Sequence, residues 1–372
     1  MKGLRVSASV LKILVGVIFI VSAVSKYVTI DSFEMYVYSF GLFPLTLSFY
    51  IARLVLAFEL ILGAALISHR HHRFTMLMSL LFLVCFIIFL TYAHFIGRTD
   101  SCHCFGDLLP FEPVQSILKN AVLILVLLYA FKYAPADWTP RWWLVLAIYV
   151  AAAGLLILLT AKSFHIIDIY SIVLIVVMLC VGLLASFPFY NRWYVTAALI
   201  LAPIVATFIL TPPDNWFYNE TDERFDKELF VDQLNDARLD MQTDSVSSDL
   251  QSGALADCGL SEGRHIVAFF SPGCGYCRLA AGKLSTIATR YDLDTTRLLY
   301  VFPQVADTTR YADFYRESRS QRYRETRIDK DLFVRITRAS FPIVVLLDNG
   351  EIQYSFAYRN IDESIVRDFI RQ

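Results

Sequence analysis

The sequence has little charge in its first two hundred residues and almost none in net terms, −1 over 372 residues. With no excess of either sign it has no electrostatic footprint for nucleic acid, and none for a strongly acidic substrate. Cysteines are few as well. Seven in all are too few for the disulfide framework of a small secreted scaffold. No stretch repeats at a fixed period and no tract is of low complexity, which excludes solenoid repeats and biased linkers. What the chain does have is hydrophobicity: 56% of its residues are apolar, against about 45–50% in soluble domains. Most of the charge lies after Pro212. A part in lipid followed by a part in water is the division this implies.

Crossing a bilayer as a helix takes about 20 apolar residues. Seven segments qualify: Ser9 to Lys26, Phe49 to Ile67, Phe74 to Phe95, Gln115 to Tyr129, Trp142 to Thr160, Ile167 to Ala185 and Trp193 to Leu210. The fourth is the shortest. The first has basic residues before an apolar run, as a signal peptide does, but no persuasive cleavage site follows and it is read as a retained helix. Lys2, Arg5, Lys12, Arg70, Arg73, Lys132, Arg141 and Arg192 fall on the amino-terminal side; Asp31, Glu34, Asp100, Asp107 and Glu112 dominate the other, beside Lys26, Arg98 and Lys162. The basic side is the cytoplasmic one. Seven crossings then put the carboxyl end outside, in the periplasm of a bacterium whose inner membrane holds the helices. Tyr133, Trp142, Trp143, Trp193 and Tyr194 supply an interfacial belt.

After Pro212 the chain turns polar and acidic. Residues 212–253 read as an extracytoplasmic linker with one amphipathic piece around Phe230 to Leu234. A compact domain is expected over 254–372. "HIVAFFSP" predicts a buried strand, "CGYCRLAAGKLSTIATRY" an amphipathic helix and "RLLYVFP" a second buried strand. Asp307 to Leu332 is read as helical. Asp348-Asn349-Gly350 between two apolar runs predicts a hairpin, and a last helix is capped by Asp362.

Four cysteines form two close pairs, Cys102 with Cys104 and Cys274 with Cys277. Cys274-Gly275-Tyr276-Cys277 follows a strand and opens a helix. Unpaired N–H groups and partial positive charge at that end stabilise a thiolate and lower its pKa. Cys274 is therefore expected to be the exposed nucleophile, and Cys277, nearly a turn on, the resolving thiol. A static disulfide or half a zinc site is the rival reading, but zinc needs four ligands and no second pair follows in this domain. Cys102-His103-Cys104 would close a small, strained ring suited to transient exchange. Metal binding helped by His94 and His103 and a plain outer loop stay open as alternatives. If both pairs face the same compartment, electrons can pass between them.

The stretch "FFSPGCGYC" together with "SFPIVVLLDNG" resembles the thioredoxin superfamily over Ala254 to Gln372. The resemblance implies an α/β sandwich and a cis-proline, Pro342, against the cysteine pair at the substrate-binding face. Gly275 and Tyr276 resemble the active-site turn of periplasmic disulfide isomerases. Two positions depart from a typical thioredoxin: Ala268 stands where that family has a buried Asp, and Gly273 stands where it has Trp. The stretch from Pro303 to Ser340 is longer than usual. "GVIFIVSAVSKY", Glu59 and "CHCFGDLLPFEPVQSILKNAVLIL" resemble the DoxX-like/MauE (methylamine-utilisation) family over Leu11 to Tyr133. That implies a four-helix membrane domain over 1–133 in a protein concerned with redox maturation of exported proteins; the additional helices over 134–211 lie outside the likeness and are read as a spacer.

The fold class expected is thus an all-α polytopic membrane domain followed by an α/β thioredoxin-like domain. The function expected is a membrane-bound thiol–disulfide oxidoreductase. Cys274 and Cys277 would act on extracytoplasmic protein thiols or disulfides and exchange with Cys102 and Cys104, with a quinone as a possible electron partner and no resident metal or bound cofactor. The alternatives are an assembly factor for one exported redox protein without net turnover and a DsbD-like reductant transporter. Cys85 and Cys180, inside helices, are expected to pack as small hydrophobes rather than form a relay. Cys258 is read as a bystander and "HRHHR" as a solvated loop. Glu59 is read as functional or as a partner of Arg53 or Lys26.

Overall fold

The computed structural model describes residues 2–68, 72–97, 111–135, 193–214, 225–240 and 258–371, with Leu255 and single positions between 143 and 154. Contacts divide the chain into two units, Met1–Val37 with Phe49–Pro213, and Tyr38–Ser48 with Asp214–Gln372.

Runs of Leu, Ile, Val and Phe in the first unit form helices because in lipid the backbone must satisfy its own N–H and C=O groups. These are α1 (Lys2–Val28), α2 (Ile30–Tyr38), α3 (Leu45–Ser68), α4 (His72–Phe95), α5 (Pro113–Tyr133) and α6 (Trp193–Leu210). Among the described residues four, α1, α3, α4 and α5, are long and apolar enough to cross a membrane. They match the first four expected spans. The one expected to be shortest starts earlier than its apolar run suggests, because Pro113 suits the first helical position and Gln115 Oε1 accepts from Glu112 N–H at 3.2 Å. The short α2 was not anticipated. α6 has the bounds expected for the seventh span, while the expected fifth and sixth lie almost wholly outside the described residues.

Val15 and Phe19 of α1, Leu62 and Leu66 of α3, Met76 and Leu83 of α4, and Leu123 and Leu127 of α5 form one buried cluster. Two glycines let α1 and α3 approach closely. A Cβ on Gly63 would lie 2.8 Å from the Gly16 carbonyl oxygen, and one on Gly16 would lie 2.9 Å from that of Gly63. Gly63→Ala is therefore expected to destabilise the helical unit by about 1–3 kcal/mol, as overpacking does. Unfolding in graded SDS followed by circular dichroism checks this; an unchanged midpoint would mean the two helices can part freely.

In the second unit, residues expected to be linker belong to the core. α7 (Lys227–Asp240) places Phe230 and Leu234, with Phe225 just before it, against the sheet. The overall acidity of 212–253 hid these apolar residues, since three anchors in a charged stretch barely change its composition. The sheet is five-stranded, with β1 (Arg264–Phe269), β2 (Leu298–Pro303), β3 (Arg324–Ile328), β4 (Ile343–Asp348) and β5 (Glu351–Ala357) in the order β3-β2-β1-β4-β5. β1 is central: it runs parallel to β2, pairing Phe269 with Val301, and antiparallel to β4, pairing Phe269 with Ile343. β2 and β3 are parallel; β4 and β5 are antiparallel.

Helices α8 (Gly275–Tyr291), α9 (Thr309–Ser318), α10 (Lys330–Thr337) and α11 (Glu363–Arg371) complete the domain. α7 and α10 join Val267, Phe269, Val301, Val345 and Leu347 on one face of the sheet. Phe314 of α9 packs on Phe270 and Phe302, with ring centroids at 5.5 and 5.1 Å. The segment expected to be helical from Asp307 to Leu332 holds α9 and then strand β3. "RETRI" shows no apolar alternation because β3 is an edge strand with most of its side chains in solvent. The hairpin forms as expected, Asn349 and Gly350 taking φ of 52° and 82°, and Asp362 Oδ1 caps α11 by accepting from Ser364 N–H at 2.7 Å.

Candidate functional site

β1 ends at Phe269, and Phe270 donates its N–H to the Val301 carbonyl, so the chain leaves the sheet only at Ser271. A tight turn follows, with Cys274 N–H on the Ser271 carbonyl at 3.0 Å, and α8 begins. Cys274 is the N-cap of α8. Its Sγ accepts the Cys277 N–H at 3.3 Å, in the place a Ser or Asp oxygen usually takes. Cys274 is half-buried, whereas Cys277 is fully buried on the inner side of the same turn and its Sγ receives the Ser271 N–H at 3.4 Å. Both are thiols in this structure.

Their acidities separate accordingly. A hydrogen bond from the Cys277 thiol, above all, lowers the Cys274 pKa to about 7 against the opposing effect of burial; the Cys277 and Tyr276 N–H groups and the Arg278 charge add to it. Burial, first, and then the neighbouring Cys274 push the Cys277 thiol well up. One sulfur is a ready thiolate near neutrality while the other holds its proton.

Pro342 stands opposite. The Phe341–Pro342 peptide bond is cis, Pro342 is buried, and the Phe341 carbonyl oxygen lies 3.9 Å from Cys274 Sγ. Gly275 is exposed, and Tyr276 is 49% exposed with its ring 5.5 Å from that of Tyr358. Arg278 pairs with Glu317 of α9. Ala268 is fully buried, so β1 brings no carboxylate to the resolving thiol. Sequence reasoning missed one charged feature of this unit. Lys283, on the buried side of α8, donates to the Tyr358 carbonyl at 3.2 Å and lies 3.8 Å from Asp214. A lysine among Ala280, Leu284 and Ile287 was its available signal.

In the helical unit a second polar group is buried. Lys26 of α1 reaches the Glu59 carboxylate of α3 at 2.6 and 2.7 Å, and Ser22 Oγ donates to Glu59 at 3.3 Å. Glu59 is thus paired with Lys26. Arg53 pairs instead with Glu34 and donates to the Pro212 carbonyl at 2.9 Å.

Residues 4–133, which include Lys26 and Glu59, match the family described as methylamine utilisation protein MauE. The amino-terminal part of the chain carries a MauE-family domain. Among curated proteins the chain is similar to Protein TlpB of Flavobacterium psychrophilum, 23% identical over 346 residues, which cover 83% of this chain and 79% of that one. Among solved structures it resembles the thioredoxin domain of a thiol-disulfide oxidoreductase from Bacteroides vulgatus, at 16% identity over 30% of this chain and 81% of that one, TM-score 0.25. A secreted disulfide oxidoreductase of Mycobacterium tuberculosis is similar at 12% identity over 30% and 83%, TM-score 0.24. The thioredoxin-like character of the second unit rests on its own strand order and on the cysteine pair set against Pro342.

Cys102 and Cys104 fall within the MauE-family domain but lie outside the described residues, as does Cys180. Cys85 corrects an expectation: it is exposed on α4 instead of packed inside the bundle. An apolar helix that faces lipid shows the same hydrophobicity all round, so its sequence gives no sign of which side turns inward. Cys258 is half-buried and packs against the core of the second unit. His72, read as part of a solvated loop, opens α4 and is buried.

Proposed function

We propose that this chain is a membrane-bound thiol–disulfide oxidoreductase whose working pair is Cys274 and Cys277. The observation that carries this is the division of labour between the two sulfurs: a half-buried N-cap thiol with its pKa at about 7, over a fully buried thiol pushed upward. The Cys274 thiolate attacks a substrate disulfide, forming a mixed disulfide and releasing one substrate thiolate. Cys277 then gives up its proton and attacks Cys274, which releases the second substrate thiol and leaves Cys274–Cys277 oxidised. The reverse sequence delivers a disulfide to a dithiol client. Phe341 and Pro342 line the approach, and exposed Tyr276 offers the substrate an aromatic face.

In this reading the second unit works outside the cytoplasmic membrane of a bacterium, on extracytoplasmic protein thiols, with the amino terminus in the cytoplasm. Cys102 and Cys104 exchange with the Cys274–Cys277 pair at the membrane surface. In the direction that delivers a disulfide to a client, the electron pair taken from the client dithiol passes through Cys274–Cys277 and then Cys102–Cys104 to a lipid-soluble quinone, which becomes the hydroquinone. The MauE match over the segment holding Cys102 and Cys104 supports placing both pairs in one pathway.

Replacing Cys277 by Ala removes the resolving thiol and is expected to trap Cys274 in a mixed disulfide with Cys102 or Cys104. With a protease site introduced between residues 241 and 253, after α7 ends, cleaved halves should stay joined on a non-reducing gel and part on reduction. Halves that separate without reductant, while Cys274, Cys102 and Cys104 still react with added maleimide, would remove the exchange step from the proposal.

A further inference from the structure

Lys283 is fully buried on the side of α8 that also carries Ala280, Leu284 and Ile287. An ammonium group there costs stability unless it is compensated, and an apolar residue of the same length would pack as well. What Lys283 touches therefore bears on why it is there. Its Nζ donates to the Tyr358 carbonyl at 3.2 Å and stands 4.7 Å from the centre of the Tyr358 ring. One side chain thus fixes both the backbone and the ring of Tyr358. Asp214, 1% exposed and in the same unit, balances the charge at 3.8 Å and takes a second cation, Arg359, at 3.5 Å.

Tyr358 belongs to the thiol site by register. β5 ends at Ala357, which pairs with Ile343, the residue after Pro342; Ile343 pairs in turn with Phe269, where β1 gives way to the cysteine turn. The Tyr358 ring is itself buried, and against it, at 5.5 Å and tilted by 41°, lies the ring of Tyr276 between the two cysteines. The order is then a buried cation, a buried ring and a ring that is 49% exposed. The charges on these segments are matched, Arg278 by Glu317 and Arg359 by Asp214. What faces a client beside Cys274 is aromatic: Tyr276 and the part-exposed Phe341.

We infer that Lys283 is a positioning residue, which through Tyr358 holds the Tyr276 ring in place to receive an apolar side chain next to the client's cysteine. A ring already fixed loses little freedom when the client arrives, so its contact is returned as affinity. The inference rests on the oxidoreductase reading and adds to it the class of client and the residue that sets the preference.

The test uses the full chain in lipid nanodiscs, dithiothreitol as reductant, and two disulfide-bridged peptides that differ only in carrying Phe or Asp beside one cysteine. The unaltered chain should show the lower KM for the Phe peptide. Lys283→Met leaves Asp214 its pairing with Arg359 and should raise that KM about three- to tenfold, the equivalent of one side chain left to be ordered on binding. Its kcat, its KM for the Asp peptide and the Cys274 alkylation midpoint at about 7 should hold. Tyr276→Ala should raise the KM for the Phe peptide by as much, and the double variant by no more than either single one, because both changes remove the same contact. Tyr358→Leu keeps the carbonyl that Lys283 binds but removes the ring, and should act in the same direction. An unchanged KM in either Lys283→Met or Tyr358→Leu, a fall in kcat for both peptides alike, or fully additive effects of Lys283→Met and Tyr276→Ala would overturn the inference. An unaltered chain that turns over neither peptide defeats the oxidoreductase reading; one that turns over both with equal KM defeats this inference alone.

Discussion

Cys274→Ser is expected to abolish turnover of disulfide substrates, a loss on the order of a thousandfold or more, because the hydroxyl keeps its proton where the thiol gives it up. The same site predicts a pH dependence. With its pKa at about 7, Cys274 becomes thiolate as pH rises through neutrality, so alkylation by iodoacetamide should climb through that region and level off above it. Cys277, pushed upward by burial, should stay protonated and unreactive over the same range. Removing the Cys277 thiol takes away the largest cause of the lowered Cys274 pKa. In Cys277→Ala the alkylation midpoint should therefore move upward toward that of an ordinary cysteine. An unshifted midpoint would assign the acidity to the N–H groups at the start of α8, and loss of turnover in Cys277→Ala alone would make that thiol the attacking one.

Much of the thioredoxin-like core was readable because its central strands, its hairpin and the helix at the cysteine pair announce themselves locally. "IVVLL" has no polar residue to face water on either side, Asn-Gly permits the turn, and the cysteine pair sits where a strand gives way to a helix. β3 was not readable, since an edge strand needs no apolar face and "RETRI" has none. Phe225, Phe230 and Leu234 were diluted in an acidic stretch, and only the sheet they pack against makes them core. In the site, residue types at fixed spacing gave Cys274 and Cys277, and the resemblance to the thioredoxin superfamily pointed to Pro342. The proximity of the Phe341 carbonyl and the Lys283–Asp214 pair depend on chain segments far apart in sequence, which no local pattern encodes. The membrane helices divide the same way. Their lengths follow from hydropathy, but the side each turns inward does not, which is why Cys85 was misplaced.

Glu59→Ala should be among the most damaging single changes in the MauE-family domain. Lys26 is fully buried, and after the change its Nζ keeps only the Ser22 hydroxyl, at 3.0 Å, among its close partners Ser22 and Glu59. Removing one member of a buried pair leaves a charge uncompensated, typically at a cost of about 3–5 kcal/mol. Phe33 and Phe86, with ring centroids 5.5 and 5.7 Å from Nζ, soften this only in part. Replacing both members, Lys26→Met with Glu59→Met, removes the charge and its partner together, and stability should return to near that of the unaltered chain. SDS unfolding midpoints for the two single variants and the double variant form a cycle that isolates the coupling. A strong coupling with a stable double variant would mean that the fold does not need the pair. An ion pair kept in lipid although the fold can do without it is kept for chemistry, and the double variant should then fail in electron transfer while folding normally. A double variant as unstable as Glu59→Ala would instead make Lys26 and Glu59 a packing element of α1 on α3, beside the Gly16–Gly63 contact.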